Sequence, residues 1–347
     1  MNVSTRTARS LAAAAVLLAL PTALAGCSST KTGGTSSGDS GGTIKIGLVT
    51  KTDSNPYFVS MRDAATKAAE AGGAELIAKA GTADGDNDSQ VAAVENLIAS
   101  GVKAILITPN DSKAIVPTLE AAQKQGIFVA ALDTQTDGNK GVDATWATDN
   151  TKAGEQQGAY VKAALAGKTP VLAMLDLQPG VSVGDQRHSG FLTGIGLADG
   201  SPDIAGTQDT NGDQAKGQTA MENLLQKNDQ INAVYTINEP AAIGAATALK
   251  NAGKTDQVVV GSIDGGCAGV TAVKDGQIAA TVMQFPSKMA EEGVKAALAF
   301  AKDGTKPTVP ASGYIDTGVQ LITDKPLGGL EAQDTAWGLE NCWGSAS

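Results

Sequence analysis

Histidine is almost missing from this chain. His188 is the only one in 347 residues, which leaves little material for multi-histidine metal sites or for catalysis of the Ser-His-Asp kind. Aromatic residues make up only 3%, so any two that stand together carry weight. No Gly-x-Gly-x-x-Gly follows the first apolar run, which argues against a dinucleotide-dependent enzyme. Cysteine is scarce as well, with Cys27, Cys267 and Cys342, and Cys267 sits in no thiol-activating pattern. Positive charge is outnumbered. Lys and Arg total 26 against 36 Asp and Glu, for a formal charge of −10. An acidic body argues against nucleic acid as a partner and against adhesion to anionic lipid through the protein surface.

The first segment differs from the rest. Arg6 and Arg9 precede the apolar run Leu11 to Leu20, which is too short to span a bilayer and suits the apolar region of a signal peptide. It ends in Leu24-Ala25-Gly26-Cys27, which resembles a bacterial lipobox. Residues 1–26 are therefore expected to be a lipoprotein signal peptide and Cys27 the lipidated residue. The Ser-, Gly- and Thr-rich stretch that follows, to Thr43, holds almost no apolar residue. It is expected to be a flexible tether, because it cannot bury enough surface to offset its ordering entropy. With Cys27 carrying lipid, an even pair remains in an oxidising compartment, and a Cys267–Cys342 disulfide is expected.

From Ile44 onward short β-rich runs alternate with Ala-rich amphipathic runs. Strands are expected near 44–50, 74–80, 103–108 and 127–132, separated by helices near 56–72, 88–100 and 112–125. The rhythm pauses at Asp143 to Asn150. A second series then places strands near 170–176, 203–208, 232–237, 257–263 and 278–283, with helices near 151–166, 185–198, 214–228, 240–252 and 287–303. Short segments at 312–316 and 319–323 are read as further crossings and edge strands. Such alternation means βαβ units, so the fold class is α/β, with two doubly wound parallel-sheet lobes.

Ligands of open parallel sheets bind beyond the carboxyl ends of the strands. The loop Thr50 to Phe58 occupies such a place after the first strand. Lys51, Asp53 and Asn55 offer hydrogen-bonding groups there, while Tyr57 and Phe58 offer flat apolar faces. That mixture suits a polar, ring-shaped ligand such as a sugar. Other strands end in Asp133, in Asn238 and Glu239, in Asp264 and in Gln284. Carboxylates and amides there can engage neighbouring hydroxyls, although helix capping is the more common use for each residue taken singly. A calcium loop is also weighed. Asp84, Asp86, Asp88 and Glu95 fall at positions 1, 3, 5 and 12 of an EF-hand-like pattern. However, Ser89 stands where glycine is needed and Glu95 reads as helical, so Asp88 is expected to cap a helix instead.

These segments together resemble the ribose-type (type I) periplasmic sugar-binding proteins of ABC importers. The resemblance is carried by Ile46 to Thr50 leading into Asn55-Pro56-Tyr57-Phe58, by Leu106 to Asp111 and by Ala131 to Asp133. In the second half it is carried by Arg187 to Phe191, Ala233 to Glu239, Gly261 to Gly265 and Ala279 to Gln284. It implies sugar contacts from Asn55, Tyr57, Phe58, Asp133, Asn238, Asp264 and Gln284, with Lys51 facing the ligand as well. Thr134 and Asp185 stand where ribose receptors carry arginine, and Gly212 stands where they carry an aromatic residue. Arg187-His188, Asn238 to Ala241 and Asp264 to Cys267 look more like the fructose-binding branch. Asp185, Arg187 and His188 are included in the expected site, and fructose is the first ligand considered.

The resemblance also implies three crossings between lobes, near Asp149, Phe285 and Tyr314. One lobe would then comprise residues 44–148 and 285–313 and the other residues 149–284 and 314–347. The implied protein is an exported monomer held by its lipid at the outer face of the cytoplasmic membrane. It would close like a hinge on a monosaccharide and hand it to an ABC permease, without catalysis, metal or cofactor. A sensory receptor that presents a sugar-like signal to a membrane kinase, and a sugar-modifying enzyme, are the alternatives. A transcription regulator of similar core would need a helix-turn-helix where this chain has a lipobox and tether.

Overall fold

The Val- and Ile-rich runs become strands and the Ala-rich stretches become the helices that cover them. A computed structural model describes residues 42–345. The expected signal peptide, Cys27 and all of the tether except Gly42 and Thr43 lie outside the described residues. The first series comprises β1 (Ile44–Thr50), α1 (Pro56–Ala71), β2 (Ala74–Ala80), α2 (Asn87–Ala99), β3 (Ala104–Ile107), α3 (Val116–Lys124), β4 (Phe128–Leu132) and β5 (Ala144–Ala147). The second comprises α4 (Asn150–Ala164), β6 (Leu172–Asp176), α5 (Ser182–Ile195), β7 (Ile204–Asp209), α6 (Gln214–Lys227), β8 (Ala233–Thr236), α7 (Glu239–Asn251), β9 (Val259–Asp264), α8 (Cys267–Lys274) and β10 (Ala280–Met283). After these come α9 (Pro286–Asp303), β11 (Ile315–Asp316), β12 (Gln320–Ile322) and α10 (Thr335–Asn341).

Two six-stranded sheets result, in the orders β11-β5-β4-β3-β1-β2 and β12-β10-β9-β8-β6-β7. Every pairing is parallel except that of β12 with β10. Strands β3, β4, β5, β8 and β10 are buried along their whole length. That is the signature of a parallel sheet with helices on both faces. In the first lobe, Met61 of α1 and Met289 and Val294 of α9 pack on Leu48, Leu106 and Phe128. On the opposite face, Val94, Leu97 and Leu119 of α2 and α3 pack on Ile105, Ile107 and Val129. The second lobe repeats the arrangement, with Met221, Leu224 and Leu249 on one face and Val161, Phe191 and Ile195 on the other.

Four details depart from the sequence expectations. Strand β5 occupies the supposed pause, because the four residues Ala144–Ala147 are fully buried between β4 and β11. Helices α8 and α10 were not expected at all. Helix α2 is capped by Asp86, whose carboxylate accepts from Ser89 N at 3.1 Å, and not by Asp88, which lies in its first turn. Finally, Ile315 and Asp316 pair with Trp146 and Ala147 of β5. The last crossing therefore follows Asp316 and not Tyr314, and those two residues belong to the first sheet.

The tail after β12 lies on the second lobe. Helix α10 packs against α8, and Cys342 is disulfide-bonded to Cys267, 75 residues earlier. Among the described residues no helix is long and apolar enough to cross a membrane. Closing a loop of that length restricts the unfolded chain and should contribute about 4 kcal/mol. A Cys267→Ser/Cys342→Ser variant is expected to lose stability of that order in urea unfolding. An unchanged midpoint would mean that the bridge contributes nothing.

Candidate functional site

Ligand crevices of parallel sheets lie beyond the carboxyl ends of the strands, and here the polar strand ends of both lobes meet across one gap. One cavity of about 40 Å³ is lined from the first lobe by Lys51, Asn55, Tyr57, Phe58, Asp84 and Asp133. From the second lobe and the crossing come Leu177, Val183, Arg187, Ile237, Asn238, Asp264 and Gln284. Nine of the eleven expected site residues stand here. Asp185 and His188 do not. They share α5 with Arg187, where each residue turns the side chain by about 100°. Arg187 points into the gap, Asp185 is exposed, and His188 turns behind the cavity to place Nδ1 3.0 Å from Asp176 Oδ2. That hydrogen bond raises the His188 pKa above its usual value.

Local chemistry explains each placement. Asn55 caps α1, with Oδ1 accepting from Tyr57 N at 3.0 Å. Its neighbour Pro56 sets the first turn. Asn238 caps α7 through Ala241 N and donates from Nδ2 to Gly212 O at 3.1 Å. Capping and cavity lining thus coexist in these two residues. The Tyr57 hydroxyl donates to Asp133 Oδ1 at 3.0 Å. Burial pushes its pKa well above the ordinary value, and the Asp133 charge adds to the effect, so the hydroxyl stays a donor. Asp133 adopts φ +64° to turn back towards it and also accepts from Thr134 Oγ1 at 2.9 Å.

Arg187 ties the second lobe together. Its Nε donates to Asn150 Oδ1 and its Nη1 to Ile237 O, each at 2.8 Å, and Nη1 lies 3.8 Å from Asp264 Oδ1. Asp264 also accepts from Gln284 Nε2 at 2.8 Å, while Gln284 Oε1 is buried without a partner. Glu239, absent from the expected site, lies beneath. Its carboxylate accepts from Gly265 N, Gly266 N and Thr281 Oγ1 at 2.7–2.9 Å and holds the turn after Asp264 in place. Burial pushes the Glu239 carboxyl up to about 8, with the Asp264 charge adding, against the pull of these donors. Burial likewise pushes Asp264 up to about 7, opposed by Arg187 and supported by Asp133.

Asp84, Leu177, Val183 and Ile237 were missed as cavity residues. Leu177, Val183 and Ile237 belong to one aliphatic cluster and line the cavity, whereas Gly212 lines the outer groove. Gly212 has φ +64°, where a larger residue is strained, and a Cβ there would stand 2.7 Å from Asn238 Nδ2 and displace that amide. Direct bonds join the lobes around the cavity. Ser112 N donates to Gly180 O, Ser182 Oγ to Gln135 O, and Gln186 Nε2 to Gln135 Oε1, at 2.7–3.0 Å. Gln178 Nε2 reaches Asp84 Oδ1 at 3.1 Å. A water needs roughly 10–15 Å³ of such space, so the cavity of about 40 Å³ holds no more than a few waters in this arrangement.

Comparison with known proteins agrees with this geometry. Residues 46–306 match the periplasmic binding protein domain family. The chain is 37% identical to the ribose import binding protein of Bacillus subtilis over 254 residues, which cover 73% of this chain and 80% of that one. It is 32% identical to a D-ribose/D-allose-binding protein of Pseudomonas aeruginosa, over 80% of this chain and 88% of that protein. Among solved structures, an ABC transporter periplasmic solute-binding protein of Actinobacillus succinogenes with bound D-allose superposes with a TM-score of 0.72 at 32% identity. That match covers 81% of this chain and 98% of the other.

The two raised carboxyls have a consequence for stability. Between the ordinary carboxylate pKa and their folded values the native state binds protons that the unfolded chain has released. Their contribution is full at pH values below the ordinary pKa and is lost as pH rises through about 7 to 8. Urea unfolding of the wild type and Asp264→Asn at pH 5 and pH 8 reads this. The wild type should lose more stability than the variant between the two pH values. Parallel losses would mean that Asp264 does not titrate in that window.

Proposed function

The chain belongs to the periplasmic binding protein family as a sugar-binding member of the ribose/allose type that serves ABC importers, and on that premise we propose how it acts. It captures one monosaccharide between its lobes, with Tyr57 and Phe58 against one side of the ring and Leu177, Val183 and Ile237 against the other. Asp133, Asn238, Asp264 and Gln284 hold hydroxyls, and Lys51, Asn55 and Arg187 complete the polar shell. The observation that carries this reading is the convergence of these residues from both lobes on one buried cavity. Gln284 Oε1, buried and unpartnered, supplies an acceptor for a ligand hydroxyl. Closure would then give a permease a shape distinct from that of the open form.

Fructose remains the first ligand to test, on the Arg187-His188, Asn238 to Ala241 and Asp264 to Cys267 motifs. Allose and ribose follow, because those sugars name its relatives. A lipid on Cys27 would hold the monomeric receptor beside its permease. The relatives are described as binding proteins, which favours this reading over a sugar-modifying enzyme.

Calorimetric titration of residues 44–347 with fructose, allose, ribose, xylose, glucose, galactose and myo-inositol tests the assignment. Micromolar or tighter binding of fructose alone is the expected result. Tight binding of allose or ribose would keep the receptor and discard fructose, and silence across the panel would discard a monosaccharide nutrient. With the bound sugar in hand, Asp264→Ala is expected to weaken binding by about 2 kcal/mol or more, roughly thirty-fold, because buried partners lose their acceptor. Unchanged affinity would remove Asp264 from the site.

A further inference from the structure

The matched family region ends at residue 306, yet the chain continues to a short strap, Cys342 to Ser345, that touches both halves of the site. Two links hold the strap to the second lobe: the disulfide to Cys267 and a backbone bridge between Gly266 and Trp343, in which Cys267 N donates to Trp343 O at 2.9 Å. These links fall on the turn directly after Asp264. The indole then reaches further. Its Nε1 donates to the backbone carbonyl of Gln284 at 3.2 Å, the residue whose side chain bonds Asp264.

The other side bears on the first lobe. The Trp343 ring meets the Tyr57 ring edge-on, with centroids 5.1 Å apart and planes at 82°, and it packs against the hydrophobic core of that lobe. Gly344, at φ +76°, lies beside Pro56, where a Cβ would be in ordinary contact at 3.5 Å from Pro56 Cβ. Tyr57 is thereby fixed from three directions, by Phe58 at 5.4 Å, by Asp133 and by Trp343. A residue covalently tied to one lobe thus rests on a cavity-lining ring of the other. Trp343 also walls an outer groove of about 620 Å³ that shares Asn55, Asp84 and Asp264 with the inner cavity.

We propose that Trp343 is a positioning residue of the sugar site: fastened to the second lobe, it seats Tyr57 and draws the two lobes together. The proposal rests on the sugar-binding reading of the cavity. Opening the lobes separates the indole from Tyr57 and exposes both rings, so the contact favours the closed arrangement. It also orients Tyr57 towards Asp133, at the height of the ligand ring.

Small-angle scattering and titration of wild type, Trp343→Leu and Trp343→Phe, all with the disulfide intact, test this. Trp343→Leu keeps an apolar side chain but loses the ring edge. It is expected to show a larger radius of gyration without sugar and roughly tenfold weaker binding of the sugar that the wild type takes. Trp343→Phe keeps the edge while losing the N–H, and should restore most of both. Trp343→Leu that matches the wild type in scattering and affinity overturns the proposal. Equal damage in both variants, with lowered melting temperatures, also overturns it, since that is the mark of a role in folding alone. If the wild type binds no sugar of the panel, the sugar reading fails, and the scattering comparison still decides whether the strap draws the lobes together.

Discussion

The site depends on keeping several charges out of water at once. A buried carboxylate needs donors or a cation close by, and Asp264 has Arg187 and Gln284 for this purpose. Arg187 in turn donates from Nε to Asn150 at the start of α4 and from Nη1 to Ile237 just after β8. One guanidinium therefore fixes the relative placement of α4, α5, β8 and β9. Close helix packing supports it. A Cβ on Gly190 of α5 would run into the backbone of Thr151 on α4. That spacing lets Arg187 reach both Asn150 and Asp264. Glu239 performs the analogous task one layer down, pinning the Gly265–Gly266 turn that fixes where Asp264 points.

Much of the frame was legible in the sequence because parallel strands are buried on both faces and read as unbroken apolar runs. The runs that became β1, β4 and β9 end in polar residues that reach the cavity, and topology alone brings them together. Short elements escaped notice. The four residues of β5 carry too little pattern to separate them from a loop, and α8 and α10 are about two turns each. The third crossing was misplaced by the length of β11, a strand of two residues. Neither local periodicity nor resemblance resolves an element that small.

The misread site residues have a common cause. The resemblance places Asp185 and His188 in the site beside Arg187, whereas a helix sends such neighbours to different faces. Asp84 was weighed only as part of a calcium pattern, and its place in the cavity depends on the second lobe, through Gln178 and Asn211. The aliphatic patch Leu177–Val183–Ile237 lay hidden because each residue, taken alone, reads as ordinary core. The outward helix face at Asp185 and the cross-lobe position of Asp84 are tertiary facts. By contrast, the Asn55 and Asn238 caps were local facts and could be read from residue type and spacing.

The three crossings also shape how the molecule comes into being. Synthesis delivers the amino end first, but the first sheet has to wait for β11, and the face of Leu106 and Leu132 has to wait for α9. Most of the second lobe, α4 to β10, emerges in the interval. That lobe waits too, for β12, which covers the edge of β10, and for α10 against α8. Such distant pairings slow folding and leave apolar surface bare meanwhile. Two lobes with separate cores are thus obliged to finish nearly together, and a chain halted at Gln284 has neither one complete.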